Sequence, residues 1–276
     1  MQNKLAKITD QHLHISYSQV WTYLNCSLRY YFQYVRGLDR QHTSIALIFG
    51  SAMHKALERY YKDIMESRPV PELSALQAVL EEYLESEIAQ SKIPVLYKKD
   101  TPDKAQAIDL GKNMLEQVYS KLVPEAGHIV AGVEVPLAAH LVNTQGNAID
   151  MVLTGFVDLV LLDTNMQPIV IDFKTAKQSK AQSTADEDLQ MSAYHYLMTE
   201  NGYAHPDRPL ECQFHVFRKL KKPKLETVTT YRTQAHRTRL IKLFNAVLAG
   251  IEHQVYIPNK GWLCSDCAYS NACRAW

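Results

Sequence analysis

The chain has 276 residues, 46% hydrophobic and 21% charged, with a formal net charge of +1. That length is one large domain, or a domain with a small subdomain, and the apolar content excludes global disorder. A near-neutral balance excludes recognition of polyanions by bulk charge, so any such contact has to come from local patches.

Met1–Ser16 is polar and lacks the apolar segment of a secretory leader, and no apolar stretch of about 18 residues is present. The expectation is a cytoplasmic chain with no membrane partner, whose cysteines are thiols or metal ligands rather than disulfides. Residues 16–36 predict a helix, with Val20, Leu24, Leu28 and Tyr31 at helical spacing and Gly37 as its stop. A second helix is expected after Gly50, with Met53, Leu57, Tyr60 and Ile64 on one stripe. Two more are expected over 71–90 and 103–122, with a break around Pro94. The pattern then changes to strands over 129–142, 151–163 and 168–174, rich in Val, Ile and Leu, with a turn at Asp163–Gln167. A helix over 186–201 follows, then a strand pair (211–218 and 225–231) around the basic turn Lys219–Lys224, then a helix over 233–254. The tail from Pro258 reads as irregular. The organisation expected is a single domain over 1–276: a mainly helical portion (1–125), an α/β core (126–255) and a cysteine-rich tail (256–276) packed on the first helix.

Within GFVDLVLLDTNMQPIVIDFKTAK, Asp158 stands on one strand and Asp172 and Lys174 on the next. Residues two apart on a strand share a face, so Asp172 and Lys174 point the same way, and Asp158 can lie across the hairpin. Two carboxylates and an ammonium gathered on a rigid sheet suit phosphodiester hydrolysis. Carboxylates are hard ligands for magnesium or manganese, and such an ion polarises a phosphate and acidifies a bound water. A lysine can orient that water or offset developing charge. A D-x-K triplet alone is commonly a strand-end ion pair. Here it ends the apolar strand IVIDFK while a second aspartate ends GFVDL, and buried apolar strands do not carry charge without reason.

Three further pieces flank this segment: His54 in GSAMHKALERYY, Glu134 in VEVPL, and Gln190 with Tyr194 in DLQMSAYHYL. Gln190 and Tyr194 are i and i+4 and share a helix face. Singly, these are a structural histidine, a surface glutamine and a core tyrosine. In this order, from about Ser16 to the C-terminus, the motifs resemble the RecB-like branch of the PD-(D/E)XK nuclease superfamily. The resemblance implies an α/β fold of restriction-endonuclease type, a mixed central sheet flanked by helices. It implies a metal-dependent deoxyribonuclease, an exonuclease processing DNA ends. It also implies that His54, Asp158, Asp172 and the Phe173 carbonyl hold magnesium or manganese, and that Lys174 serves the nucleophilic water. Gln190 and Tyr194 would contact DNA or brace the site, and Glu134 matches the family's strand glutamate.

Cys264, Cys267 and Cys273 form C-x2-C-x5-C in the tail, Cys26 lies far upstream, and Cys212 sits in a predicted strand. Ala268 follows Cys267 where c-type haem attachment needs histidine, and the tail lacks the βαβ setting of a thioredoxin-like site. Four thiolates suit zinc well. In an iron–sulfur subset of RecB-like nucleases, which includes the AddAB nuclease and the CRISPR-associated exonuclease, an N-terminal cysteine joins three C-terminal ones around a [4Fe–4S] cluster. SYSQVWTYLNCSLRYYFQY and WLCSDCAYSNAC resemble those segments, except that Ser27 follows Cys26 where proline is common. The resemblance implies a cluster on Cys26, Cys264, Cys267 and Cys273, with zinc as the alternative.

The run Lys219, Lys221, Lys222 and Lys224 is the densest basic patch, either a solvated turn or a phosphate contact. Tyr30, Tyr31 and Tyr34, interleaved with Arg29 and Arg36, divide between core and base stacking. There is no P-loop, so a helicase would be a partner rather than part of this chain, as would an integrase. The expected partner is DNA, single-stranded or at duplex ends. A catalytically silent scaffold subunit of a repair, recombination or CRISPR adaptation complex is the alternative, and intact Asp158, Asp172 and Lys174 argue against it.

Overall fold

The computed structural model describes residues 12–276, so most of the polar N-terminal segment lies outside it. Strand β1 (His14–Ser16) runs into helix α1 (Tyr17–Asn25). Ser16 and Gln19 close a capping box at this junction: Gln19 N–H donates to Ser16 Oγ at 3.3 Å and Ser16 N–H to Gln19 Oε1 at 2.7 Å. The helix expected over 16–36 is broken at Cys26, whose backbone is extended (φ −162°, ψ 101°). It resumes as α2 (Ser27–Tyr30) and a π-helical turn (Tyr31–Val35). The cause of the break is distant in sequence. Leu28 N–H donates to Ile257 O at 3.3 Å and Ile257 N–H to Ser27 Oγ at 2.7 Å, so the tail clips onto the new helix start.

Strand β2 (Thr43–Ser44) leads into α3 (Ile45–Met65), which begins before Gly50 rather than after it. Helix α4 (Leu73–Gln90), strand β3 (Val95–Leu96) and helix α5 (Lys104–Val118) follow. Gly111 of α5 faces Leu80 of α4 so closely that a Cβ would sit 2.7 Å from its Cδ2, so any side chain there would force Leu80 to shift.

The strand-rich half comprises β4 (Ile129–Val142), β5 (Ala148–Leu162), β6 (Pro168–Ala176), β7 (Leu210–Arg218) and β8 (Lys224–Arg232). Between β6 and β7 the chain crosses over through α6 (Gln182–Asp186) and α7 (Leu189–Glu200), and α8 (Gln234–Glu252) follows β8. The tail, read as irregular, carries a 3-10 turn (Trp262–Asp266) and α9 (Ser270–Ala275). The sheet order is β1-β5-β6-β7-β8, with β4 also on β5. Pairing is antiparallel except for β6 with β7 and β1 with β5, as the crossover requires.

Helices cover both faces. Phe49, Met53, Leu57, Leu80 and Leu115 pack on Leu159, Leu161, Ile169, Ile171 and Phe173. Tyr196, Leu197, Leu240 and Phe244 pack on Val157, Val160, Val170 and Phe214 from the other side. This is the mixed-sheet α/β architecture of restriction-endonuclease-like nucleases. Strand alternation holds along β6 but breaks in β4 and β5. Val133 and Val135 join opposite cores, and so do Val157 and Leu159, although residues two apart ordinarily share a face. The two breaks lie at Glu134 and Asp158.

Candidate active site

Strands β5 and β6 pair only from Leu159↔Ile171 to Leu162↔Pro168, then separate. Past that point β6 continues on β7, with Asp172 against Phe214 and Lys174 against Val216. Strand β4 occupies one edge of β5 along its length, so β1, at Val152–Thr154, refills the other. The splay leaves Phe173 presenting both backbone groups to the gap. Its N–H donates to Asp158 Oδ2 at 2.7 Å, a carboxylate standing in for a ladder carbonyl. Its C=O accepts from His54 Nε2 at 2.9 Å.

His54 reaches the gap from α3, and its Nδ1 lies 3.6 Å from Asp158 Oδ1. Burial lowers its pKa, so the ring is neutral and offers a lone pair. Glu134 stands opposite Asp158, between the pairs Val133↔Leu159 and Val135↔Val157. Its φ of +48° is left-handed, which costs a side chain about 1–2 kcal/mol and turns Glu134 out of strand alternation. Ligand atoms of His54, Glu134 and Asp158 all lie within 4.8 Å of one another. Burial, then Asp172, pushes the Asp158 carboxyl up to about 8, and burial, then Asp158, pushes Glu134 up to about 7. Two acids crowded against an imidazole in this way form a set that could hold a metal ion, and a cation's charge would oppose both shifts.

Asp172 is 1% exposed. Its Oδ1 accepts from Gln190 Nε2 at 2.8 Å and from the Tyr194 hydroxyl at 3.5 Å. Its Oδ2 lies 2.7 Å from Lys174 Nζ, a charge-assisted contact that pairs the two side chains. Gln190 Oε1 in turn accepts from Lys174 Nζ at 3.0 Å, and Gln190 Nε2 also donates to the Tyr194 hydroxyl at 2.8 Å. Desolvation pulls the Lys174 pKa down, but Asp172 and Asp158 outweigh it and hold the ammonium above its ordinary value. The sequence-derived ligand set included Asp172. The geometry groups Glu134 with His54 and Asp158, and ties Asp172 to Lys174 and Gln190.

Gln190 is placed by residues the sequence reading passed over. The helix expected over 186–201 starts at Leu189, behind the separate short α6, and Asp188 between them caps α7 by accepting from Gln190 N–H at 2.9 Å. An aspartate just before an apolar periodic run is a helix-start signal that could have marked it. Arg232, fully buried on β8, ties this junction by donating to Ala185 O at 2.7 Å, Asp188 O at 3.0 Å and Ser192 Oγ at 3.2 Å.

Elsewhere, Cys26, Cys264, Cys267 and Cys273 line one cavity of about 350 Å³. Leu28, Phe32 and Tyr269 pack beside it. Cys212 is buried away from it, and burial pushes its thiol up to about 12. Arg218 pairs with Ala176 at the end of β6, so the turn Lys219–Lys224 lies at the same rim of the sheet as Lys174. Lys219 is spent over the Phe49 ring at 4.0 Å and Lys224 pairs with Glu226 at 2.6 Å, while Lys221 and Lys222 are exposed.

Fold and site together define a nuclease of the restriction-endonuclease-like class. The PD-(D/E)XK nuclease superfamily model matches residues 14–274, and the chain belongs to that superfamily. A search of curated proteins gives no match. Among solved structures, the chain is similar to a protein from Eubacterium rectale with a provisional exonuclease assignment. That match has 12% identity and a TM-score of 0.56, and covers 95% of this chain and 90% of the other. The structure of SSO0001 matches with 14% identity and a TM-score of 0.38, over 86% and 87% of the two chains, too distant to support an argument. Among the described residues no helix is long and apolar enough to cross a membrane.

Proposed function

We propose that this protein is a divalent-metal-dependent deoxyribonuclease that hydrolyses phosphodiester bonds at DNA ends. The observation that carries the reading is the convergence of His54, Glu134 and Asp158 within 4.8 Å, beside the Asp172–Lys174 pair in the splay between β5 and β6. An imidazole, carboxylates and the Phe173 carbonyl suit magnesium or manganese, and the Asp172 carboxylate, paired with Lys174, offers a further oxygen. Such an ion, when bound, polarises the scissile phosphate and acidifies a water. The chain's own part is positional and electrostatic. Gln190 holds the Lys174 ammonium toward the carboxylates, where it can orient the attacking water and offset charge on the phosphate. Tyr194 and Gln190 keep Asp172 in one orientation. Exposed Lys221 and Lys222, on the same rim, suit phosphates of the incoming strand. The end-directed mode is supported by the provisional exonuclease assignment of the Eubacterium rectale protein.

A second centre belongs to the same proposal. Four cysteines around one cavity, walled by apolar side chains, fit a [4Fe–4S] cluster that pins the tail to α2. Zinc is the competing occupant.

The test is cleavage of linear and circular DNA, single- and double-stranded, by anaerobically purified protein with magnesium or manganese, alongside Lys174→Ala. Loss of linear substrates alone, absent in the variant, is the expected result. Cutting of circles by the native protein would make it an endonuclease. DNA binding without cutting would transfer the chain to the scaffold role.

A further inference from the structure

A groove of about 870 Å³ runs from Lys174 and Gln190 to Trp21 and Leu24 on α1. Its scale is that of a small-molecule site, about 300–1,000 Å³, and so of single nucleotides rather than a double helix. One wall is aromatic and apolar. Trp21 is 49% exposed and Leu24 40%, in a chain that buries its other α1 anchor, Val20, completely. Tyr17, one helical turn before Trp21, stacks on it with ring centroids 6.3 Å apart and 28° between planes. Tyr17 lines the groove together with Lys174 and Gln190, so the aromatic run starts beside the reaction centre.

The opposite wall is polar, and both of its cations are already paired with carboxylates. Lys180 pairs with Asp188 at 2.8 Å, Arg239 pairs with Glu187, and Asp186 accepts from Thr230 at 2.7 Å. A groove whose cations are already paired is a poor phosphate channel, whereas an open indole face takes any base that can present its own face. Paired bases cannot do so without unstacking. Of the tyrosines that the sequence offered for stacking, none lines this groove, and only Tyr34 is exposed. Tyr30 is buried, and Tyr31 lies on Tyr256 at 4.7 Å.

We infer that this groove binds unpaired DNA, with Trp21 as the platform on which bases stack on their way to Lys174. The direction of travel rests on the nuclease reading, while the stacking chemistry does not.

The test is therefore made without divalent metal, in EDTA, where nothing is cut. Trp21 is one of three tryptophans, and Trp262 and Trp276 are 82% and 65% exposed, so Trp262→Phe with Trp276→Phe leaves Trp21 as the only indole reporter. A short oligothymidylate is expected to quench its emission, and a blunt hairpin duplex is expected to leave it unchanged. By electrophoretic shift in the native background, Trp21→Ala is expected to weaken single-strand binding roughly five- to hundredfold, with Trp21→Phe recovering most of it. Equal quenching by the duplex, or single-strand binding unchanged in Trp21→Ala, would overturn the inference. The nuclease reading is judged separately, on cleavage. A protein that stacks the strand but never cuts keeps the groove and loses the reading, and one that cuts with Trp21 silent does the reverse.

Discussion

The acidic site and the cysteine cradle are assembled in opposite ways. Asp158, Asp172 and Lys174 lie within 17 residues on two neighbouring strands, and a hairpin register brings them together. The cysteines come from the two ends of the chain and meet only when the tail lies on α2, through Leu28, Ser27 and Ile257. The first arrangement is rigid before any ligand arrives. The second is a closure of nearly the whole chain, which its ligand would hold shut. Chemistry and closure should therefore separate under mutation.

The largest expected effect is on chemistry alone. Asp172→Asn lowers cleavage at least about a thousandfold while leaving colour and fold in place, because the buried carboxylate that pairs with Lys174 at the site becomes neutral. Melting curves and steady-state cleavage on the same preparation decide it. Gln190→Ala is expected next, at roughly 10–100-fold, since it frees Lys174 and Asp172 together without removing either. Cys267→Ala is the mirror image. If the proposed cluster is present, it loses the brown colour and iron, and lowers the melting temperature by roughly 5–15 °C, in line with about 2–4 kcal/mol for a long loop closure. A colourless native protein with one zinc would replace iron with zinc in this comparison.

Two smaller effects probe the frame between the sites. His195 is fully buried with neither ring nitrogen bonded among the described residues, and burial, then Arg237, His236 and Arg232, lowers its pKa to about 4. The unfolded chain, with His195 near pH 6.5, binds the proton more readily. Stability is therefore complete above about 6.5 and falls as pH drops toward 4, by about 2–3 kcal/mol. His195→Phe should flatten that slope in denaturant titrations at several pH values. Glu134→Gly should gain about 0.5–1 kcal/mol of stability from its left-handed backbone while losing cleavage, which would mark Glu134 as a residue whose strain serves function.

What the sequence disclosed follows the same division. Asp158, Asp172 and Lys174 were legible because strand period and a short turn fix their relation locally. Gln190 and Tyr194 were legible as an i, i+4 pair. The break at Cys26 was not, because the residues that cause it, Ser27 and Ile257, are 230 apart, and Val20, Leu24 and Leu28 read as continuous helix. The placing of Glu134 was also hidden, since a left-handed residue within a strand leaves no mark in hydrophobic pattern. Trp21 read as an ordinary helix residue until the fold set it across from Gln190.

The clip between Ser27 and Ile257 also sets an order of events during synthesis. Cys26 leaves the ribosome 238 residues ahead of Cys264, an interval of about 12–48 s at 5–20 residues per second. The acidic site has its side chains by Tyr194 and its supporting strands by Arg232, while the cradle still lacks three of its four thiols. A nascent chain can thus own its reaction centre before the four cysteines can meet, and if a metal closes that cradle as proposed, cells short of it would accumulate folded cores with an open tail.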